Sequence, residues 1–138
     1  MTSEGARSGI PHFFLNALRI VVALMFMQHG ATKLLMIFGA ESAAEFLTQR
    51  WFAGVLELYG GGLLVVGLFT RPVAFLLAGE MAFAYFMAHF PRGWVPVMNG
   101  GELSVLFCWT FLFLAANGGG SFSLDGLLAA RRAAKTAG

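Results

Sequence analysis

His29 and Lys33 stand four residues apart in an otherwise apolar stretch, a spacing that puts both side chains on one face of a helix. Glu57, Glu80, His89 and Glu102 lie within or at the ends of three further apolar stretches. Ionisable groups embedded in hydrocarbon are costly, so they pair with one another or take part in chemistry. One lysine can neutralise one carboxylate, and Glu57 with Glu80 exceed that. A carboxyl group held beside a cation suits proton transfer. Lys33, Glu57 and Glu102 are therefore the candidate catalytic residues, and His29, Glu80 and His89 the candidates for holding a substrate. Arg19 and Arg71 form a second polar group with Asn117 at the opposite end, and they join the substrate-binding candidates. So does Trp109, a flat side chain that interfacial aromatic belts do not explain. Each has a packing alternative. A Lys33–Glu57 or Lys33–Glu102 pair can simply tie helices together. Glu102 can stabilise a helix start, Arg19 and Arg71 can reach toward phosphates, and His89 beside Phe90-Pro91-Arg92 suits an interface.

The elements that must position these residues follow from composition. The chain has 138 residues, 58% hydrophobic and 12% charged, with mean hydropathy +0.74. Soluble domains carry about 25% charged residues, and a fold this small cannot hide so much apolar surface from water. Disordered chains are polar and poor in aromatics, which excludes that class. The single Cys108 excludes an intramolecular disulfide, a paired-cysteine redox motif and a multi-cysteine metal site. A net charge of +2 gives no reason to expect nucleic acid. The expected partner is a lipid bilayer, and four stretches approach the about 20 residues that a spanning helix needs. They are 13–38, 51–69, 72–90 and 102–117. Turn chemistry separates them, and Asn117-Gly118-Gly119-Gly120 is a strong stop. Membrane strands would alternate apolar and polar residues, which these runs do not.

The expected fold is thus all-α, a transmembrane four-helix bundle in one domain over 1–138. The first stretch has the wrong flanks for a cleaved leader and is read as retained. Arg7, Arg71, Arg131, Arg132 and Lys135 fall on the side of the termini, which places both in the cytoplasm. The tail, 121–138, then reads as a short amphipathic cytoplasmic helix. Counting about 1.5 Å per residue puts His29, Lys33, Glu57, His89 and Glu102 in the outer third, with Glu80 just beneath. Packed together, the helices could aim them at one pocket. Gly54 and Gly61 share the face of Glu57 and suit close helix packing.

Arg19 followed by His29-Gly30-x-x-Lys33, then Glu57 with Gly61 and Gly67-Leu68-x-x-Arg71, then Gly101-Glu102, then Gly118-x-Gly120-x-x-Ser123-Leu124-Asp125, resembles the DoxX family of small four-helix bacterial membrane proteins. The likeness runs from Arg19 to Asp125, and Glu80 and His89 stand outside its pattern. It implies a multi-pass protein of the bacterial inner membrane tied to redox metabolism, in some members a subunit of a thiosulfate:quinone oxidoreductase. The expected function is a quinone-interacting subunit of an oxidoreductase. Lys33 and His29 would donate hydrogen bonds to the quinone, Glu57 and Glu102 would accept protons, and Trp109 would form a flat wall. The alternative is a non-catalytic membrane anchor for a partner oxidoreductase, with homo-oligomerisation compatible with either. A small transporter ranks below both, because no broken helix pair marks the midplane. Haem between His29 and His89, or a single metal at His29, Glu57 and Glu102, is disfavoured. A di-metal site lacks its Glu-x-x-His spacing.

Overall fold

Between Pro11 and Gly30 the chain has neither glycine nor proline, and it forms the longest helix, α1 (Ser3–Leu35). The structure is a computed structural model that describes residues 3–136. The Arg7 side chain, counted toward orientation, and residues 137–138 of the tail lie outside the described residues. α1 ends at Leu35 rather than at residue 38, because Met36 and Phe38 take left-handed backbone with φ of 53° and 57°. The Ala44 amide folds back onto the Lys33 carbonyl at 2.7 Å and closes that end.

The Thr48 hydroxyl accepts the Trp51 amide at 3.3 Å and opens α2 (Gln49–Val55). The helix continues through a π-helical turn, Leu56–Gly60, into α3 (Gly61–Val66), which stops at Gly67 with φ 71°. α4 (Thr70–Ala84) holds Pro72 in its first turn, where no amide is needed. A second π-helical turn, Tyr85–His89, and a 3-10 turn, Phe90–Arg92, extend it. A short α5 (Pro96–Asn99) leads to α6 (Glu102–Asn117), which ends at Gly118 with φ 82°. α7 (Leu124–Thr136) closes the chain. Among the described residues there is no strand.

α1 packs along α2, the first π turn and α3, while α4 packs along α6. Phe26 of α1 joins the halves, its ring 5.1 and 4.8 Å from those of Phe107 and Phe111. Ala23, Leu64, Leu77 and Leu114 complete the buried centre. Two helical stretches, Pro11–Leu35 and Thr70–Arg92, are long and apolar enough to cross a bilayer, whereas α6 is apolar but shorter. Only 28% and 22% of their apolar windows is buried, whereas the core helix of a water-soluble fold is mostly buried. Their outward faces, with Phe13, Phe75 and Phe83, match hydrocarbon. Of the four spans expected from the sequence, two pass on length and hydropathy.

One end of the molecule is tied by a buried arginine. Arg19 spends four of its five N–H bonds on main-chain carbonyls: Leu64 and Val65 at the end of α3, Gly119 and Phe122 in the α6–α7 loop. Asp125 caps α4 from across the chain, accepting the Phe69 amide at 2.9 Å and the Thr70 amide at 2.7 Å. This compensates Phe69, which sits at φ 51° with no cap of its own. Burial raises the Asp125 carboxyl pKa, but those amides and the Arg19 charge outweigh it and hold the group below the usual carboxylate range. Asn16 adds a third tie, accepting the Phe122 amide at 3.1 Å.

Candidate functional site

Lys33 lies in the last turn of α1 and Glu57 in the first π-helical turn, and the two side chains form an ion pair, with both carboxylate oxygens accepting from the ammonium. Close backbone approach puts them there. A Cβ added to Gly30 would stand 2.5 Å from the Leu58 amide nitrogen and 2.7 Å from the Gly54 carbonyl oxygen. Only glycine lets α1 and the second helical stretch meet so closely. Gly61 does the same against Met27, so the glycines of the Glu57 face act as the sequence implied. The Glu57 side chain is 4% exposed and that of Lys33 25% exposed. A π-helical turn is uncommon and is found frequently at functional sites.

The pair stands between two cavities. One, of about 830 Å³, is an open groove between α2 and α4, walled by Phe52, Phe75, Leu76, Phe83 and Met87. Lys33, Glu57 and Glu80 supply its polar groups, with Gln49 and Arg50 also on its lining. Both carboxylate oxygens of Glu80 are buried without a hydrogen-bond partner. The other cavity, of about 260 Å³, is lined by Lys33 and Glu57 from the far side, with His29, His89, Ser104 and Phe107. The groove falls within the roughly 300–1,000 Å³ of small-molecule sites and the second cavity falls below it.

His29 lies edge-on to Phe107, with centroids 5.9 Å apart. His89 belongs to the second π-helical turn and stacks on Tyr85 at 6.3 Å. Its Nδ1 is 3.2 Å from the Asn99 carbonyl oxygen and 3.0 Å from Arg92 Nη2. Asn99, which is not among the candidate residues, is the buried organiser here. Its amide donates to the Gly93 carbonyl at 2.6 Å and the Tyr85 hydroxyl at 3.3 Å, and its oxygen accepts the Gly101 amide at 2.8 Å. An Asn-Gly-Gly run with a tyrosine fourteen residues upstream is the only sequence signal it leaves.

Lys33, Glu57, His29, Glu80 and His89 are thus brought to adjoining cavities. The other candidates are placed elsewhere. Glu102 is exposed in the first turn of α6, lines neither cavity and has no salt bridge among the described residues; Ser104 takes the inward position. Trp109 is 69% exposed, in a shallow depression with Leu18, Leu106, Thr110 and Phe113. Arg19 is committed to the main chain at the opposite end, and Arg71 there donates to the Ala116 carbonyl at 2.7 Å. Among the described residues, no three metal-capable side chains gather to hold a metal ion.

A family model described as DoxX matches residues 14–90. A protein of Haemophilus influenzae (strain Rd), described as an uncharacterized protein, is 43% identical over 121 residues, covering 82% of this chain and 89% of that one. A protein of Bacillus subtilis (strain 168) named "Putative oxidoreductase CatD" is 28% identical over 114 residues, covering 78% of this chain and 81% of its own. No solved structure matches the chain.

Proposed function

The chain belongs to the DoxX family of membrane proteins, and we propose that it is a quinone-interacting subunit of a membrane oxidoreductase. The observation that carries this reading is the Lys33–Glu57 pair, shared by a lipid-facing groove of about 830 Å³ and a smaller polar cavity. The oxidoreductase name of the Bacillus relative supports the reaction class. In this reading the protein crosses the bacterial inner membrane as a four-helix bundle with both termini cytoplasmic. The excess of Arg and Lys near the α3–α4 connection and the tail supports that orientation.

The groove fits a quinone by its own chemistry. Its walls are aromatic and aliphatic, and its polar groups are the cations Lys33 and Arg50, Gln49, and two carboxyl groups, of which Glu80 lacks a hydrogen-bond partner. A buried polar atom without a partner is unfavourable, so a ligand that supplies one is bound more tightly. The bound quinone supplies two-electron redox chemistry, and a partner oxidoreductase exchanges the electrons. Lys33 donates a hydrogen bond to a carbonyl oxygen of the head group. Glu57 holds or releases the accompanying proton at its carboxylate, on the boundary with the small cavity. His29 and His89 line the continuation of that path. The apolar walls exclude water from the groove.

The test is a calorimetric titration of the purified protein with a decyl-substituted benzoquinone. Lys33→Ala and Glu57→Gln are each expected to weaken binding by roughly tenfold or more, the loss of one charge-assisted hydrogen bond. Undiminished affinity in both variants removes the assignment.

A further inference from the structure

α7 runs for 13 residues, Leu124–Thr136, without burying one of them. A helix of that length is marginal on its own in water, so a surface is expected to hold it. Its root fixes where that surface is. Asp125 accepts the Phe69 and Thr70 amides, and its own amide donates to the Gly67 carbonyl at 2.9 Å. Thr70 is the first residue of the apolar stretch Thr70–Arg92. α7 therefore departs from the level at which that stretch begins, where hydrocarbon gives way to head groups. Phe69 and Phe122 flank its root, 62% and 75% exposed.

The helix has two unlike sides. At 3.6 residues per turn, Leu124, Leu128, Arg131 and Lys135 form one stripe, with Leu127 and Arg132 at its edges. Gly126, Ala129, Ala130 and Ala133 occupy the other. The sole acid of α7, Asp125, is engaged with α4, so no side-chain carboxylate of this helix opposes its three cations. Leucines fill the first half of that side and cations the second, so the leucines can enter a lipid boundary while the cationic heads extend to phosphates on their apolar stems.

We propose that α7 is an interfacial helix that recognises anionic phospholipid. Leu124, Leu127 and Leu128 enter the boundary between head groups and acyl chains, and Arg131, Arg132 and Lys135 bind lipid phosphates. This inference rests on the root of α7 and its residue pattern, independent of any quinone. Three cations near an anionic surface together strengthen binding by roughly a hundredfold.

The test uses the full chain in nanodiscs of phosphatidylcholine alone, or of equal parts phosphatidylcholine and phosphatidylglycerol. Hydrogen exchange of the α7 amides is measured against α4 as the internal reference. Exchange in α7 is expected to slow by roughly tenfold or more in the anionic discs. The slowing disappears in R131E/R132E/K135E and weakens in L127Q/L128Q, while α4 protection holds in both and shows that the fold survives. Equal exchange in the two lipids overturns the proposal, as does slowing that persists in the triple variant. Slowing that depends on the number of copies per disc assigns α7 to a second copy of the chain, and slowing that needs an added soluble protein assigns it to that partner. Either result also overturns the proposal.

Discussion

Lys33 and Glu57 pose a question of energetics before one of mechanism. A buried ion pair recovers its desolvation cost only in part, so its presence is weak evidence that it stabilises anything. Removing one partner, however, strands the other. Lys33→Met is expected to cost about 3 kcal/mol, the low end of the range for breaking a buried pair, because the lysine is a quarter exposed. The double variant Lys33→Met/Glu57→Leu should recover most of that loss in thermal unfolding while still failing to bind the decyl benzoquinone. If binding returns with stability, the pair serves packing alone. Asp125 offers a test at the other end. Its folded-state carboxyl is held low, so its contribution to stability is complete above the unfolded value of about 4 and is lost as pH falls through the lower folded value. The stability difference between the native chain and Asp125→Asn should therefore shrink below about pH 4 and stay constant above about pH 5. A difference that grows on acidification contradicts the cap.

The elements explain why part of the site could be read in the sequence and part could not. Depth along a helix follows from a fixed rise per residue, which is why Lys33, Glu57 and His29 were expected at one level and are found together. Direction around the axis is less secure. Glu102 has the right depth and the wrong direction, since Ser104 faces the cavity instead. In an unbroken helix Glu80 and His89, nine residues apart, would point about 180° from each other. The π-helical turn at Tyr85–His89 takes up one extra residue and reduces that to roughly 80°, which lets both serve adjoining cavities. Nothing in the local composition announces such a turn. Gly54 and Gly61 were legible as packing sites, yet Gly30, where main chain approaches within 2.5 Å of an added Cβ, was not. Gly30→Ala is expected to destabilise the fold by about 1–3 kcal/mol and to loosen the Lys33–Glu57 pair, because the new Cβ meets main chain that cannot move aside. Gly79→Ala, where a Cβ meets nothing, should instead be neutral or stabilise by about 0.5–1 kcal/mol. Chemical denaturation of the two variants side by side checks the contrast, and an equal loss in both argues against close approach at Gly30.

At the scale of the whole molecule the polar residues divide between two ends with different tasks. The stop at Gly118 and the apolar character of the surface were both legible, because each depends on local backbone or bulk composition. The role of Arg19 was not, since its four acceptors are main-chain carbonyls that any residue could provide. Their arrangement exists only once α3 and the loop before α7 have met. A lysine in its place keeps the charge but offers a single point of donation where the planar guanidinium serves several directions. Arg19→Lys should therefore lower thermal stability well beyond what a surface exchange does, and speed hydrogen exchange across Phe122 to Leu127. Arg19 and Lys33 lie on one helix about 21 Å apart, far beyond the separation at which substitutions normally couple. Combining Arg19→Lys with Lys33→Ala should then give stability losses that add within about 0.5 kcal/mol. Quinone affinity of the folded fraction should follow Lys33 alone. A coupling of several times that size would mean that α1 transmits strain between its two ends, joining the tied end to the chemistry and making the arginine a positioning residue for the groove.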